Sequence, residues 1–137
     1  MADKVTDLIE SGYGKEEKMH CAEQILSAGN KVHNLGLEEA DITLASGFGV
    51  GMRVESVCGA LTGAVMVLGK LVVEKNAHYS PKIKDLTEKF LQEYESEMGS
   101  IYCCVLKKTK RTKDKSCDPI IYKAAKVLEE IIAEEGY

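Results

Sequence analysis

Apolar residues recur at helical spacing along most of the chain. Residues 2–11 carry Val5, Leu8 and Ile9 on one side. Residues 15–34 carry Met19, Ala22, Ile25, Leu26, Gly29 and His33 on one face and end near Gly36. Residues 38–46 read as a short helix that stops at the glycine-rich "GFGVGM". Residues 53–74 place Val54, Val57, Cys58, Leu61, Val65, Leu68 and Val72 at the spacing of one helix face,. Their opposite face holds Ala60, Ala64, Val67 and Leu71, so this helix is expected to be central,. Residues 81–98 carry Ile83, Leu86, Phe90, Tyr94 and Met98, and 119–135 carry Ile121, Ala124, Leu128 and Ile131. Ser80-Pro81 and Asp118-Pro119 pair an N-cap residue with a proline whose missing N–H costs nothing in a first turn,.

No stretch alternates like a strand, and no repeat or long linker divides the chain. The expected fold is all-α, one domain over residues 1–137, a bundle of five or six helices around 53–74,. At 137 residues and 45% hydrophobic, it can bury a core without disulfides or a metal,. There is no Trp and only 2 Phe, so aliphatic side chains must fill that core.

Net charge is −4, which gives no footprint for nucleic acid,. The charge-free run Ser56–Gly69 is too short to span a membrane,. The N-terminus is too polar for a signal-peptide core. A cytoplasmic location is expected, where thiols stay reduced. One segment breaks the mild acidity. Between 107 and 116, Lys107, Lys108, Lys110, Arg111, Lys113 and Lys115 face the single acid Asp114. It reads as a solvated loop, or as a docking patch for an acidic redox partner.

In a reducing compartment, the 5 cysteines are buried small hydrophobes, reactive thiols or metal ligands,. No pair has C-x-x-C spacing, so spacing alone is a weak signal. Position says more. Cys21 reads as lying inside a helix, Cys58 near a helix start, and Cys103 and Cys104 just past the helix ending at Gly99. Cys117 immediately precedes Asp118-Pro119, and a helix N-terminus favours a thiolate,. In "GFGVGM", Gly47, Gly49 and Gly51 lack the strand and the G-K-[ST] of a phosphate loop,. They read as a sharp connection, or as backbone N–H groups aimed at sulfurs. His20 and His78 read as surface residues and His33 as a core-edge residue. Gly59, Ala60, Gly63 and Ala64 form a small-residue surface beside Cys58. A second cysteine-bearing segment is expected to lie close against it.

These elements together resemble the redox-active family named for its pattern C_GCAxxG_C_C. The matching pieces are "CAEQIL" at Cys21, "ASGFGVGM" at 45–52, "ESVCGALTGAVMVLG" at 55–69, "GSIYC" at 99–103 and "CDPIIYKAAKVLEEI" at 117–131. The central motif here reads C-G-A-x-x-G, with the first two letters of the family name exchanged. Cys104 and the basic 107–116 segment look individual to this chain. The resemblance implies a functional set of Cys21, Cys58, Cys103 and Cys117. A similar domain in split-Soret-type cytochromes goes with an iron–sulfur centre. This chain has no C-x-x-C-H for haem attachment,.

Four functions stay open at this level. The first is electron transfer by an iron–sulfur cluster, [2Fe–2S]-like, on the four thiolates, with Gly47, Gly49, Gly51 and Gly59 framing the cofactor. The others are a metal-free thiol–disulfide protein, a four-cysteine zinc module and a bundle with inert buried thiols. A homodimer is compatible with all four.

Overall fold

The computed structural model describes residues 4–114 and 116–137, so Lys115 of the basic segment lies outside the described residues. Seven α-helices are present among them: α1 Val5–Glu10, α2 Cys21–His33, α3 Glu39–Ile42, α4 Gly59–Val72, α5 Lys82–Met98, α6 Cys103–Lys110 and α7 Asp118–Glu134. The protein is all-α, as its periodicity predicts. Among the described residues the only sheet-like pairing is one antiparallel bridge, Val57 with Tyr102.

Three boundaries differ from the sequence reading. The 15–34 helix begins only at Cys21, because Gly12, Gly14 and Lys18 all take positive φ and wind the preceding residues into turns. His20 ends that turn, and its N–H donates to Glu23 Oε1 at 3.2 Å, closing the first helical turn. The 53–74 helix is shortened to α4. Val50, Met52, Arg53 and Glu55 hold left-handed φ, so the chain runs through a wide irregular turn, and Val54 is 76% exposed rather than core. Cys58 becomes the N-cap of α4. Residues 107–110, expected as part of a loop, belong to α6, which buries Cys103 and Leu106 and exposes Lys108 and Lys110. The charge run masked a helix whose lysines are good helix formers.

α4 packs against α2, α5 and α7. Its Leu61, Val67 and Leu68 are buried with Ile25 and Leu26 of α2, Phe90 and Tyr94 of α5, and Leu128 and Ile131 of α7. The α2–α4 approach is unusually close. A Cβ on Gly63 would stand 2.7 Å from the Ala22 carbonyl oxygen, and one on Gly29 would stand 2.6 Å from Val67 Cγ2. Buried polar contacts fix the other helices. Tyr94 Oη donates to the Ile120 carbonyl at 3.2 Å, and His33 Nε2 meets Glu129 Oε1 at 2.7 Å, tying α2 to α7. Gly99 ends α5 in the left-handed conformation that glycine adopts without strain,. Among the described residues, no helix is long and apolar enough to cross a membrane.

Candidate functional site: four thiols at four helix N-termini

Cys21 is the first residue of α2, Cys58 the N-cap of α4, Cys103 the first residue of α6 and Cys117 the N-cap of α7. All four line one cavity of about 500 Å³. The fifth, Cys104, is exposed and does not line it. Four helix starts with unpaired N–H groups and aligned dipoles make the cavity electropositive before any side chain is counted.

Local backbone features bring the sulfurs together. Cys58 N–H donates to the Ile101 carbonyl at 2.9 Å and Cys103 N–H donates to the Ser56 carbonyl at 2.7 Å. This two-bond ladder sets the starts of α4 and α6 side by side. Missing side chains set α2 against α4. A Cβ on Gly59 would lie 2.5 Å from Cys21 Sγ and 2.8 Å from the Phe48 carbonyl oxygen. The small-residue surface of α4 is thus covered by Cys21 and Ala22, a cysteine-bearing segment, as the sequence leads one to expect.

The four thiols are not equivalent. Cys21 is drawn down to about 6, first by a hydrogen bond from the Cys58 thiol. Burial opposes this, while the Val50 and Ala22 N–H groups and the nearby His20 reinforce it. Cys58 is pushed far up by donating that bond, by burial and by the charge of Cys21, with the Ala60 and Leu61 N–H groups pulling the other way. Burial raises Cys103 against the pull of Lys107, and raises Cys117 against that of Arg111. Of the four, Cys21 is thus the one whose thiolate is favoured, while burial pushes the other three toward the protonated form.

Of the four glycines expected at a cofactor, only Gly59 reaches the cavity. Gly47 has open space around it, and Gly49 lies flat against the His20 ring, where a Cβ would come within 2.8 Å. Gly51 takes φ +55° at the start of the irregular turn. From the glycine-rich segment it is Val50 that lines the cavity, and its N–H is among the groups that lower Cys21. His20 is a half-buried residue rather than a surface one. Its Nε2 donates to the Ser46 carbonyl at 2.8 Å and faces Glu23 at 3.2 Å, while Nδ1 is buried without a partner.

The cavity also carries Lys15 and Lys18, which the sequence did not single out, and two cations of the basic 107–116 segment. Lys15 and Lys18 come from the turns before α2, where Gly12, Gly14 and Lys18 take positive φ. Lys107 and Arg111 come from α6 and its end. Among the described residues Asp118 is the one carboxylate on the lining, and Lys15 pairs with it at 2.6 Å. Among the described residues, no three of His, Cys, Asp or Glu stand where they could hold one metal ion.

No curated protein and no solved structure matches the chain. One family profile does, over residues 19–131, a span that contains all four cavity cysteines. Its description is "Putative redox-active protein (C_GCAxxG_C_C)". With more than three quarters of its length matched, the chain belongs to the C_GCAxxG_C_C family of redox-active proteins.

Proposed function

We propose that the protein is a thiol–disulfide redox protein whose working pair is Cys21 and Cys58. The observation that carries this reading is the placement of the two thiols at the abutting starts of α2 and α4, where a Cβ on Gly59, the residue after Cys58, would lie 2.5 Å from Cys21 Sγ. Cys21 supplies the thiolate, the form that attacks a disulfide. Its attack would release one thiolate of the substrate and leave a mixed disulfide. Forming that bond removes the negative charge that holds the proton on Cys58. The Ala60 and Leu61 N–H groups then favour a Cys58 thiolate,. Cys58 would attack the Cys21 sulfur, expel the second substrate thiolate and close a Cys21–Cys58 disulfide. Two electrons pass to the substrate, with one proton from Cys58 and the other from solvent. Re-reduction needs a dithiol partner. We propose an acidic one that meets the 107–116 segment, where Lys108, Lys110 and Lys113 are exposed.

Thiol counting against a graded dithiol/disulfide buffer tests this. Two thiols should disappear together in one two-electron step. Cys21→Ser and Cys58→Ser should each abolish that step, whereas Cys104→Ser should leave it unchanged.

One observation favours a second reading: all four thiols face a single cavity from four separate segments. A [2Fe–2S] cluster takes four cysteine thiolates, and Cys21, Cys58, Cys103 and Cys117 match it in number and type. They would hold it as two pairs, and it would supply one-electron transfer. Zinc fits less well, since tetrahedral bonds of about 2.3 Å need the ligands around one point, and no such group is present among the described residues. Iron and acid-labile sulfide analysis with EPR after anaerobic purification separates the readings. Stoichiometric iron and sulfide, lost on mutating any of the four cysteines, would replace the dithiol account.

A further inference from the structure

The thiol cavity is rimmed by Lys15, Lys18, Lys107 and Arg111. Lys15 is taken by Asp118 at 2.6 Å, and Lys107 faces Glu55 at 3.7 Å. Among the described residues, no carboxylate pairs with Lys18 or Arg111. Arg111 spends only its Nε on the Lys107 carbonyl, at 3.3 Å, which leaves the outer guanidinium nitrogens available. Among the described residues of this chain of net charge −4, two cations on the lining of the thiol cavity thus stand without a carboxylate partner. Inside, Met19, Val50, Leu106, Ile120 and Ile121 give apolar walls. A volume of about 500 Å³ suits a small molecule rather than a protein loop,. The lining thus asks for a compact ligand with an apolar middle, an anionic end and a group that thiols can attack.

We propose that the cavity binds small anionic disulfides, with the carboxylate held by Lys18 and Arg111 and the S–S bond presented to Cys21. This rests on the dithiol reading of the site and adds the substrate class to it. The reaction balances as one disulfide plus the Cys21–Cys58 dithiol giving two small thiols plus the Cys21–Cys58 disulfide. Because the leaving thiolate departs into the same electropositive cavity, the cations stabilise it as well as the bound carboxylate.

The test uses the fully reduced, metal-free protein and three aliphatic disulfides of similar size: dithiodipropionate (dianion), hydroxyethyl disulfide (neutral) and cystamine (dication). Initial rates are read by thiol release. The dianion should react faster than the neutral compound by roughly tenfold at low ionic strength, with cystamine slowest. Added salt should compress that order. In the K18Q/R111Q variant the dianion-to-neutral ratio should fall to about one. A ratio is the chosen readout because both compounds meet the same nucleophile, so a change in Cys21 itself cancels. The K108Q/K110Q/K113Q variant, which alters only the outer lysines, should keep the wild-type ratio. If that variant loses the preference instead, the anion site is the outer face and the proposal is wrong. Equal rates for all three compounds would also overturn it while leaving the dithiol reading intact. If no disulfide is consumed, the dithiol reading itself fails and takes the proposal with it.

Discussion

Gly63 and Gly69 lie in the same helix, and replacing each with alanine should change stability in opposite directions. Both are in α4, and neither has a positive φ that would bar a side chain. Alanine at either place gains about 1 kcal/mol of helix propensity over glycine. At Gly69 nothing lies within 4 Å of the added methyl, so Gly69→Ala should keep most of that gain. At Gly63 the methyl would stand 2.7 Å from the Ala22 carbonyl oxygen and 3.1 Å from Ala22 Cα. Carbon atoms settle at about 3.5–4.0 Å, so this carbon–carbon approach alone asks the two backbones to part by roughly 0.4 Å. Backbone cannot swing aside as a side-chain tip can. Overpacking of this kind costs about 1–3 kcal/mol and outweighs the propensity gain. The two variants should differ by about 2 kcal/mol, with Gly63→Ala below the wild type and Gly69→Ala above it. Urea unfolding of the reduced, metal-free protein measures this, with midpoints compared at constant slope. Equal stabilities would refute the claim that backbone contact between α2 and α4 is what the glycine provides. The parting should also draw Cys21 away from Cys58, so Gly63→Ala should slow alkylation of Cys21 near pH 6.5.

Two further outcomes follow from the geometry. In the reduced, metal-free protein, iodoacetamide should label Cys21 first, with a rate that rises through pH about 6 as the thiolate forms; Cys58→Ala, which removes the hydrogen bond chiefly responsible, should move that rise to higher pH, while Cys103 and Cys117 label only above the usual thiol range in both proteins. Glu129→Ala should cost about 1–3 kcal/mol in urea unfolding, because it leaves the His33 ring without its partner in a setting where its side chain is 14% exposed,.

The parts of the fold that were legible in the sequence are those fixed by local chemistry. The apolar spacing of α2, α5 and α7 and the two proline starts mark their elements without reference to the rest of the chain. The small-residue surface at Gly59 and Gly63 announces a close approach, and Ala22 makes it. The family profile covers the same four cysteines that the cavity gathers. What stayed hidden depends on backbone conformations that no residue type advertises. Four non-glycine residues between Val50 and Glu55 hold left-handed φ, which breaks an otherwise convincing helical pattern and turns Cys58 into an N-cap. Lys18, in the turns where Gly12, Gly14 and Lys18 take positive φ, is part of the cavity rim. The division of labour between Cys21 and Cys58 could not be read from spacing, since the two lie on segments far apart in the chain and meet only through packing. α6 was hidden because a run of lysines looks the same on a loop as on the outer side of a helix.

Whether Cys21 and Cys58 form the redox couple is decided by peptide mapping with mass spectrometry, after the anaerobically reduced protein has been treated with one equivalent of a small disulfide. One dominant cross-linked species is predicted, joining the peptides that hold Cys21 and Cys58, with Cys103, Cys104 and Cys117 recovered as thiols. A dominant link between any other pair, or a full set of thiols after oxidation, would contradict the assignment.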